Sequence, residues 1–294
     1  MTLPNCEISF PVRNYNLETT LTSGQVFGWQ RSASDWIGVV SGRWVLLRQQ
    51  RDALIARTAE PQSDWTWLAH YLQARVNLDE VLASFPPDPH LGKAVDSCRG
   101  LRLLRQDPWE CLASFILSST KQIVQIQQIV ALLRAGFGSA VAVPADQPTA
   151  FAFPSAQRIA AASETELRNC KMGFRAPYLL AAARRVANEE CDLERLRQMT
   201  LTEARRELLK LDGVGEKIAG CVLLFAYGFP DAFPIDVWMT KALRRFYFRG
   251  RMVRPARLHE FAARHFGPNA GYAQQYLFHY MRTKNGKNPS PRAA

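Results

Sequence analysis

Short apolar runs separated by polar turns fill the first quarter of the chain. VFGWQ (Val26 to Gln30), WIGVV (Trp36 to Val40) and ALIARTA (Ala53 to Ala59) are rich in β-branched and aromatic residues, as strands are. The second run meets Ser41-Gly42 and is followed by RWVLLRQ, a spacing typical of a β-hairpin. The pattern predicts a small twisted antiparallel β-sheet domain over residues 1–100.

From about Trp65 onward the apolar positions recur at helical spacing. FPPDP, residues 85–89, interrupts this pattern. Pro108 then stands at the start of a long apolar-periodic segment, Trp109 to Leu133, where a proline is compatible with helix initiation. The proline-containing stretch from Gly136 to Pro154 is predicted to be a loop. Helical patterns resume at Ala156, Ala176 and Thr202.

These elements predict an α+β protein, with the antiparallel sheet followed by a mostly α-helical body over residues 101–286. Residues 287–294 are polar and basic, and a disordered tail is expected there.

Charge and cysteine usage narrow the choice of partner. The 294-residue chain has a formal net charge of +11, which points to a polyanion, with nucleic acid ahead of an anionic membrane surface. The first 13 residues lack the apolar run of a signal peptide, and no window has the length of a transmembrane helix, so an intracellular protein is expected. The six cysteines are widely spaced without a CxxC pair, which argues against a zinc or iron–sulfur site.

The segment LDGVGEKIAG, residues 211–220, places two glycines directly before a new helix. Gly213 and Gly215, with Val214 between them, permit a tight turn. A helix beginning near Glu216 offers N–H groups without intrahelical partners, which favour a phosphate. This hairpin could therefore hold a nucleic-acid backbone without reading its sequence, although a plain helical hairpin with a glycine turn fits the same residues.

Lys217 lies in the first turn of that helix, beside apolar residues. The helix N-terminus and partial burial both disfavour the ammonium form and favour a neutral, nucleophilic amine. A lysine that extends to solvent or pairs with a phosphate is the alternative. Asp236 follows Pro234-Ile235 and could be an N-cap, or a carboxylate that stabilises positive charge and moves protons. In a basic protein, Lys217 and Asp236 together suggest attack on an electrophilic carbon of a sugar.

These residues resemble those of the helix-hairpin-helix DNA glycosylase superfamily, and more closely its bacterial-type 8-oxoguanine DNA glycosylases. LTSGQVFGW, GLRLLRQDPWECLASFILSS, MGFRAPYL and GYAQQYLF resemble four further segments of that family and occur in the same order. The resemblance spans almost the whole chain. It implies a bifunctional glycosylase and AP lyase of base excision repair. Such an enzyme would act as a monomer on duplex DNA in a prokaryote-type cell, without a required cofactor or catalytic metal.

The resemblance also implies roles for the hairpin residues. Lys217 would be the Schiff-base nucleophile at C1′, and β-elimination would then cleave the strand. Asp236 would stabilise the oxocarbenium-like transition state. The hairpin of Gly213, Val214 and Gly215 would hold a phosphate and could carry a structural monovalent cation on its carbonyl oxygens.

For the lesion-base pocket, the resemblance implies Gly24, Cys221, Gln274 and Phe278. The Gly24 carbonyl would accept the N7–H that 8-oxoguanine carries and guanine lacks. Phe278 and Cys221 would lie against the two faces of the flipped base, and Gln274 would bond its Watson–Crick edge. Taken alone, Phe278 and Cys221 fit ordinary core packing equally well.

Phe174 and Arg175 match the wedge of the family. Phe174 would fill the gap in the base stack, and Arg175 would contact the orphaned base. Animal members carry an asparagine where this chain has Thr120 and an arginine where it has Gln125, and both help to read the opposite cytosine. A looser opposite-base preference is therefore expected. Trp238 replaces a phosphate-contacting histidine, as in bacterial relatives.

Other functions fit parts of the sequence. A DNA-binding module without activity would need neither Lys217 nor Asp236. A 3-methyladenine-type glycosylase keeps the aspartate but lacks the hairpin lysine. An endonuclease III-type enzyme usually has a four-cysteine iron–sulfur loop near its C-terminus, whereas no cysteine follows Cys221. A membrane-surface protein would need a basic amphipathic helix, and none stands out.

Overall fold

The computed structural model describes residues 5–119 and 121–284 and has the predicted α+β architecture. Five antiparallel strands form the N-terminal sheet in the order β1-β5-β4-β3-β2. Their bounds are β1 Asn5–Pro11, β2 Gln30–Ser32, β3 Asp35–Val40, β4 Arg43–Gln50 and β5 Ala53–Gln62.

The predicted hairpin is formed by β3 and β4. Val40 pairs with Arg43 across the two-residue turn, in which Ser41 and Gly42 have φ values of +50° and +72°. Two positive φ values match the right-handed twist of the flanking strands. The third predicted run is confirmed as β5, which continues to Gln62.

The first predicted run is not a strand over Val26–Trp29, since only Gln30 of that run belongs to β2. The segment is buried because it passes between two cores. Phe27 packs edge-on against Phe115 with ring centroids 5.7 Å apart, and Trp29 donates to the Tyr71 hydroxyl at 2.8 Å. The segment is rich in apolar residues because it is buried on both sides, and not because it forms a strand.

Helices make up most of the remaining structure, with one short ribbon of two strands. The helices are α1 Leu17–Thr22, α2 Thr66–Leu72, α3 Leu78–Ala83, α4 Pro89–Ser97, α5 Pro108–Leu117, α6 Ile123–Phe137, α7 Ala156–Ala160, α8 Glu164–Asn169, α9 Ala176–Ala187, α10 Leu201–Leu208, α11 Glu216–Val222, α12 Val237–Tyr247, α13 Pro255–His265 and α14 Ala270–Lys284. The ribbon is β6 Ala140–Val141 with β7 Ala150–Phe151, inside the predicted loop. No helix in the described ranges is long and apolar enough to cross a membrane.

The long apolar-periodic segment after Pro108 is two helices rather than one. At the end of α5 the Ser118 hydroxyl donates to the Phe115 carbonyl at 2.7 Å. At the start of α6 the Gln125 side chain accepts from the Gln122 backbone N–H at 3.0 Å, so both amides help to begin this helix. The periodicity runs across the break because both helices bury apolar side chains in the same core.

Two clusters of buried apolar side chains correspond to the sheet and the helical body. The sheet cluster includes Trp36, Leu47 and Leu54. The helical cluster already includes Leu78 of α3 and Leu91 of α4. The proposed boundary near residue 100 stays a prediction, and the predicted tail lies outside the described residues.

Candidate active site

The glycine hairpin joins α10 to α11. Helix α10 ends at Leu208, and the turn closes with the Val214 N–H donating to the Leu211 carbonyl at 3.1 Å. Gly213 has a φ of +78°, and a Cβ there would lie 2.7 Å from Cγ of Tyr178 in α9. Position 213 therefore requires glycine for its backbone conformation and for its contact with α9.

Lys217 is half-buried in the first turn of α11, and α5 holds its amine. Its Nζ lies 2.7 Å from Ser118 Oγ and 5.0 Å from the centroid of the Phe115 ring. Because the Ser118 hydroxyl donates its one proton to the Phe115 carbonyl, its oxygen is the acceptor for Lys217. Nothing in the sequence pattern distinguishes Ser118 from Ser119.

Asp236 is the N-cap of α12, where its carboxylate accepts from the Met239 N–H at 2.7 Å. Burial raises the pKa of this carboxyl, and the Met239 N–H and the charge of Lys217 lower it only in part. A Cβ on Gly220 would lie 3.2 Å from Pro234 Cα. The bare glycine thus lets α11 pack closely against the segment that delivers Asp236 to Lys217.

Cys221 lies one turn after Lys217 in the same helix and is buried. Burial raises the pKa of its thiol to about 11, while Lys217 lowers it and Asp236 raises it, so the thiol is protonated near neutral pH. We call Ser118, Lys217, Cys221 and Asp236 the lysine cluster. Within the described ranges, no three His, Cys, Asp or Glu side chains are grouped as a metal ligand set.

Gly24 and Phe278 lie next to each other. Gly24 has a φ of +84°, and a Cβ there would lie 3.3 Å from Phe278 Cε1 and 2.6 Å from Arg282 Nη1. Gln274, one turn before Phe278 on α14, is 5% exposed, and its Oε1 has no hydrogen-bond partner among the described residues. A buried amide oxygen of this kind calls for an explanation, and a donor from a bound ligand would provide one. We call Gly24, Gln274 and Phe278 the pocket cluster.

Arg282 connects the two clusters. Its guanidinium carbon lies 5.5 Å from the centroid of the Phe278 ring. Burial lowers the pKa of Arg282 to about 10, and the charge of Asp236 raises it, so the arginine stays a cation whose field reaches the lysine cluster. The sequence pattern did not point to this residue, because a lone arginine near a chain end is ordinary.

The predicted wedge residues differ sharply in exposure. Phe174 is 56% exposed, whereas Arg175 is 2% exposed and stacks its guanidinium carbon 4.2 Å from the Phe174 ring. Phe174 precedes α9, whose Tyr178 contacts Gly213, so wedge and hairpin share one side of the protein. Arg175 would have to leave its buried position to reach an orphaned base.

Thr120 and Gln125 are the two positions at which this chain departs from the residues that read the opposite base in animal members. Thr120 lies outside the described residues. Gln125 is exposed, and its side chain accepts the Gln122 N–H at the start of α6.

Two family models divide the chain between them. Residues 7–112 match the model for the 8-oxoguanine DNA glycosylase N-terminal domain, and residues 113–264 match the model for HhH-GPD superfamily base excision DNA repair proteins. The chain belongs to the HhH-GPD superfamily. This membership agrees with the resemblance read from the sequence motifs. The first match covers most of the sheet domain, and the second covers the hairpin.

Relatives within the HhH-GPD superfamily share most of the chain. A probable N-glycosylase/DNA lyase of Methanothermobacter thermautotrophicus is 34% identical over 219 residues, which cover 68% of this chain and 69% of the relative. The structure of MBOgg1 in complex with a low-affinity DNA ligand superposes with a TM-score of 0.90 at 30% identity, covering 97% of this chain and 98% of that one. The Clostridium acetobutylicum 8-oxoguanine glycosylase/lyase, bound to double-stranded DNA with cytosine opposite 8-oxoG, superposes with a TM-score of 0.88 at 30% identity, covering 92% and 93%.

Proposed function

We propose that this protein is a bifunctional DNA glycosylase and AP lyase that excises 8-oxoguanine from duplex DNA in base excision repair. The observation that carries the proposal is the lysine cluster, in which Ser118 holds a half-buried amine near the half-buried carboxyl of Asp236. A superfamily relative named as an N-glycosylase/DNA lyase and a neighbouring 8-oxoguanine glycosylase/lyase bound to lesion-containing DNA support it. Action as a monomer in a prokaryote-type cell is part of the proposal.

In this mechanism the Lys217 amine attacks C1′ of the damaged nucleotide while the bond from C1′ to the base breaks. The Asp236 carboxylate stabilises the positive charge that develops on the sugar. One amine proton leaves with the base, and the second passes to the ring oxygen as its bond to C1′ breaks. The product is an imine between Lys217 and C1′. Removal of a C2′ proton then expels the 3′ phosphate by β-elimination. The half-buried Asp236 carboxylate suits the stabilisation of the positive charge on the sugar because the Met239 N–H already orients it.

The pocket cluster would recognise the flipped base. The Gly24 carbonyl would accept N7–H, Phe278 and Cys221 would lie on the two faces of the base, and Gln274 would bond its Watson–Crick edge. The unpartnered Gln274 Oε1 supports this assignment, since an orphaned buried acceptor would gain a donor from the base. Phe174, exposed beside the hairpin, would enter the vacated stack, and Arg175 would follow it to the orphaned base.

The Gly213–Val214–Gly215 turn would hold a phosphate near the start of α11. A monovalent cation on the hairpin carbonyls belongs to the same proposal. Exchanging potassium for tetramethylammonium at constant ionic strength should weaken binding to undamaged duplex DNA if the cation contributes.

Borohydride trapping on a duplex with one 8-oxoguanine opposite cytosine tests the central proposal. Wild type should form a covalent adduct, whereas Lys217→Gln and a duplex with undamaged guanine should give none. Base release without an adduct would mean that water is the nucleophile and that the lyase assignment is wrong. Binding without either product would favour a different damaged base or a non-catalytic damaged-DNA-binding protein.

A looser opposite-base preference is a separate part of the proposal. Thr120 and Gln125 stand where animal members of the family have the asparagine and the arginine that help to read the opposite cytosine. The Gln125 side chain accepts the hydrogen bond that begins α6. Excision rates opposite C, A, G and T should therefore lie within about tenfold of one another, which is about the difference that one hydrogen bond makes. Strong restriction to cytosine would contradict this expectation.

A further inference from the structure

The C-terminal helix α14 holds the loop that carries Gly24. We propose that Gln275 and Arg282 are positioning residues, which fix the Thr22–Gly24 backbone so that the Gly24 carbonyl meets the lesion at the correct distance. This inference rests on the proposed function, since it concerns how the pocket cluster distinguishes 8-oxoguanine from guanine.

Two side chains of α14 donate to adjacent carbonyls of this loop. Gln275 Nε2 lies 3.0 Å from the Ser23 carbonyl oxygen, and Arg282 Nη2 lies 2.6 Å from the Thr22 carbonyl oxygen. Both side chains are buried, at 2% and 6% exposure. They are seven residues apart and therefore lie on the same side of the helix, which gives the loop two fixed points over two helical turns.

The loop is also held by its own glutamine. Gln25 is fully buried, and its Nε2 donates to the Thr20 carbonyl at 3.0 Å and to Ser23 Oγ at 2.9 Å. Its Oε1 accepts the Leu104 N–H at 2.8 Å, which ties the loop to the segment before α5. The loop is therefore clamped between α14 and the start of the helical body.

These donors leave one carbonyl of the loop unoccupied. The carbonyls of Thr20, Thr22, Ser23 and Gln25 each accept a side-chain donor. In the described ranges, no hydrogen bond reaches the carbonyl of Gly24. The half-buried position of Gly24 leaves it accessible to a ligand, so the clamp presents one free acceptor in a fixed place.

Fixing this acceptor has a direct chemical consequence. A hydrogen bond loses strength steeply as its distance and angle depart from the optimum. With guanine, which has a lone pair at N7 instead of a proton, the same oxygen would be repelled. If the loop were held less rigidly, the Gly24 carbonyl would bond the lesion less strongly and would also repel guanine less strongly. Phe278 also lies on α14, where its ring is next to Gly24. Helix α14 therefore fixes the position of the Phe278 ring relative to the Gly24 carbonyl.

Two single-turnover assays separate positioning from general support of the fold. One measures excision of 8-oxoguanine opposite cytosine, and the other measures strand cleavage at a preformed abasic site, which requires Lys217 but no base recognition. Gln275→Met removes the donor at similar volume, and Arg282→Lys keeps the charge but loses the planar fork. Thr283→Val is the matched control, because among the described residues the Thr283 hydroxyl bonds the His279 and Tyr280 carbonyls of its own helix.

Gln275→Met should slow excision about tenfold or more, the scale of a lost buried hydrogen bond, while abasic-site cleavage stays within about twofold. Arg282→Lys should show the same selective loss, and Thr283→Val should change neither activity. A parallel fall of both activities, or no fall in either, would overturn the inference. If Arg282→Lys fails to fold by circular dichroism, Gln275→Met decides alone. A wild type that cleaves abasic DNA but does not excise 8-oxoguanine would overturn the proposed substrate and this inference with it.

Discussion

Asp236 can be tested as a catalytic group separately from its role as a helix cap. Asparagine caps a helix about as well as aspartate, so Asp236→Asn should keep the hydrogen bond to the Met239 N–H while removing the charge. Asp236→Ala removes both. The pair of variants therefore separates two contributions that a single substitution would mix.

The structure sets the expected magnitudes. Loss of the cap should make Asp236→Ala about 1 kcal/mol less stable than Asp236→Asn. Excision should fall by about a hundredfold or more in both variants, because each loses the carboxylate that would stabilise charge on the sugar. Rates of excision and of Schiff-base trapping, measured beside thermal denaturation, give both quantities from one preparation.

The raised pKa of Asp236 predicts opposite pH trends for stability and activity. Because burial raises this pKa in the folded protein, the folded state holds the proton more tightly than the unfolded state. The associated stability is present below the ordinary carboxyl pKa and is lost as pH rises toward the raised folded value. Asp236→Asn has no proton to lose, so it should be at least as stable as wild type at pH 7. Excision by wild type should rise across the same window as the carboxylate forms.

Equal excision by Asp236→Asn and wild type, with Lys217→Gln inactive, would refute this reasoning and leave Asp236 as a cap alone. A stability difference near zero between Asp236→Asn and Asp236→Ala would instead refute the cap. An acid limb at the ordinary carboxyl pKa, unchanged by burial, would show that Asp236 does not govern the pH dependence.

Further predictions concern the neighbours of these groups. Ser118→Ala should slow borohydride trapping about tenfold by releasing the Lys217 amine, with Ser119→Ala as the control; equal trapping rates would contradict the assigned contact. Phe174→Ala should change stability by less than about 0.5 kcal/mol, since the side chain is more than half exposed, yet it should lower excision clearly; loss of stability instead would assign Phe174 to the fold. Because burial raises the pKa of Cys221 to about 11, iodoacetamide at pH 7.5 should leave it unmodified by mass spectrometry, and rapid alkylation with inactivation would contradict the neutral thiol.

Local sequence patterns predicted those features that depend only on residues close together in the chain. The glycine hairpin, the start of α11, the Asp236 cap and the β3–β4 turn each follow from residues close together in sequence. The break after Ser118 was missed because the apolar period does not change where both helices bury the same face. The strand expected at Val26–Trp29 was wrong because burial between two cores produces the same composition as a strand.

The contacts that position the chemistry lie beyond the reach of such patterns. Ser118 and Lys217 are 99 residues apart, and Thr22 and Arg282 are 260 residues apart. Their side chains are ordinary at both ends of each pair, so only the packing of α5 on α11, and of α14 on the Gly24 loop, brings them together. A sequence motif can therefore identify the nucleophile without identifying the residue that positions it.

Two hydrogen-bond acceptors in the pocket cluster have no donor within the part of the free protein that the structure describes. In the described ranges, Gln274 Oε1 and the Gly24 carbonyl accept no hydrogen bond, while the neighbouring carbonyls of the loop are occupied. Leaving the buried Gln274 acceptor unpaired costs about 1–3 kcal/mol, a cost that the free protein carries and that a bound donor would remove. The folded protein thus holds two acceptors ready for a ligand with two donors, and 8-oxoguanine, with N7–H and the N–H groups of its Watson–Crick edge, has donors for both. Guanine has only the second kind, so the difference in binding should depend on the Gly24 carbonyl and on the residues that hold it.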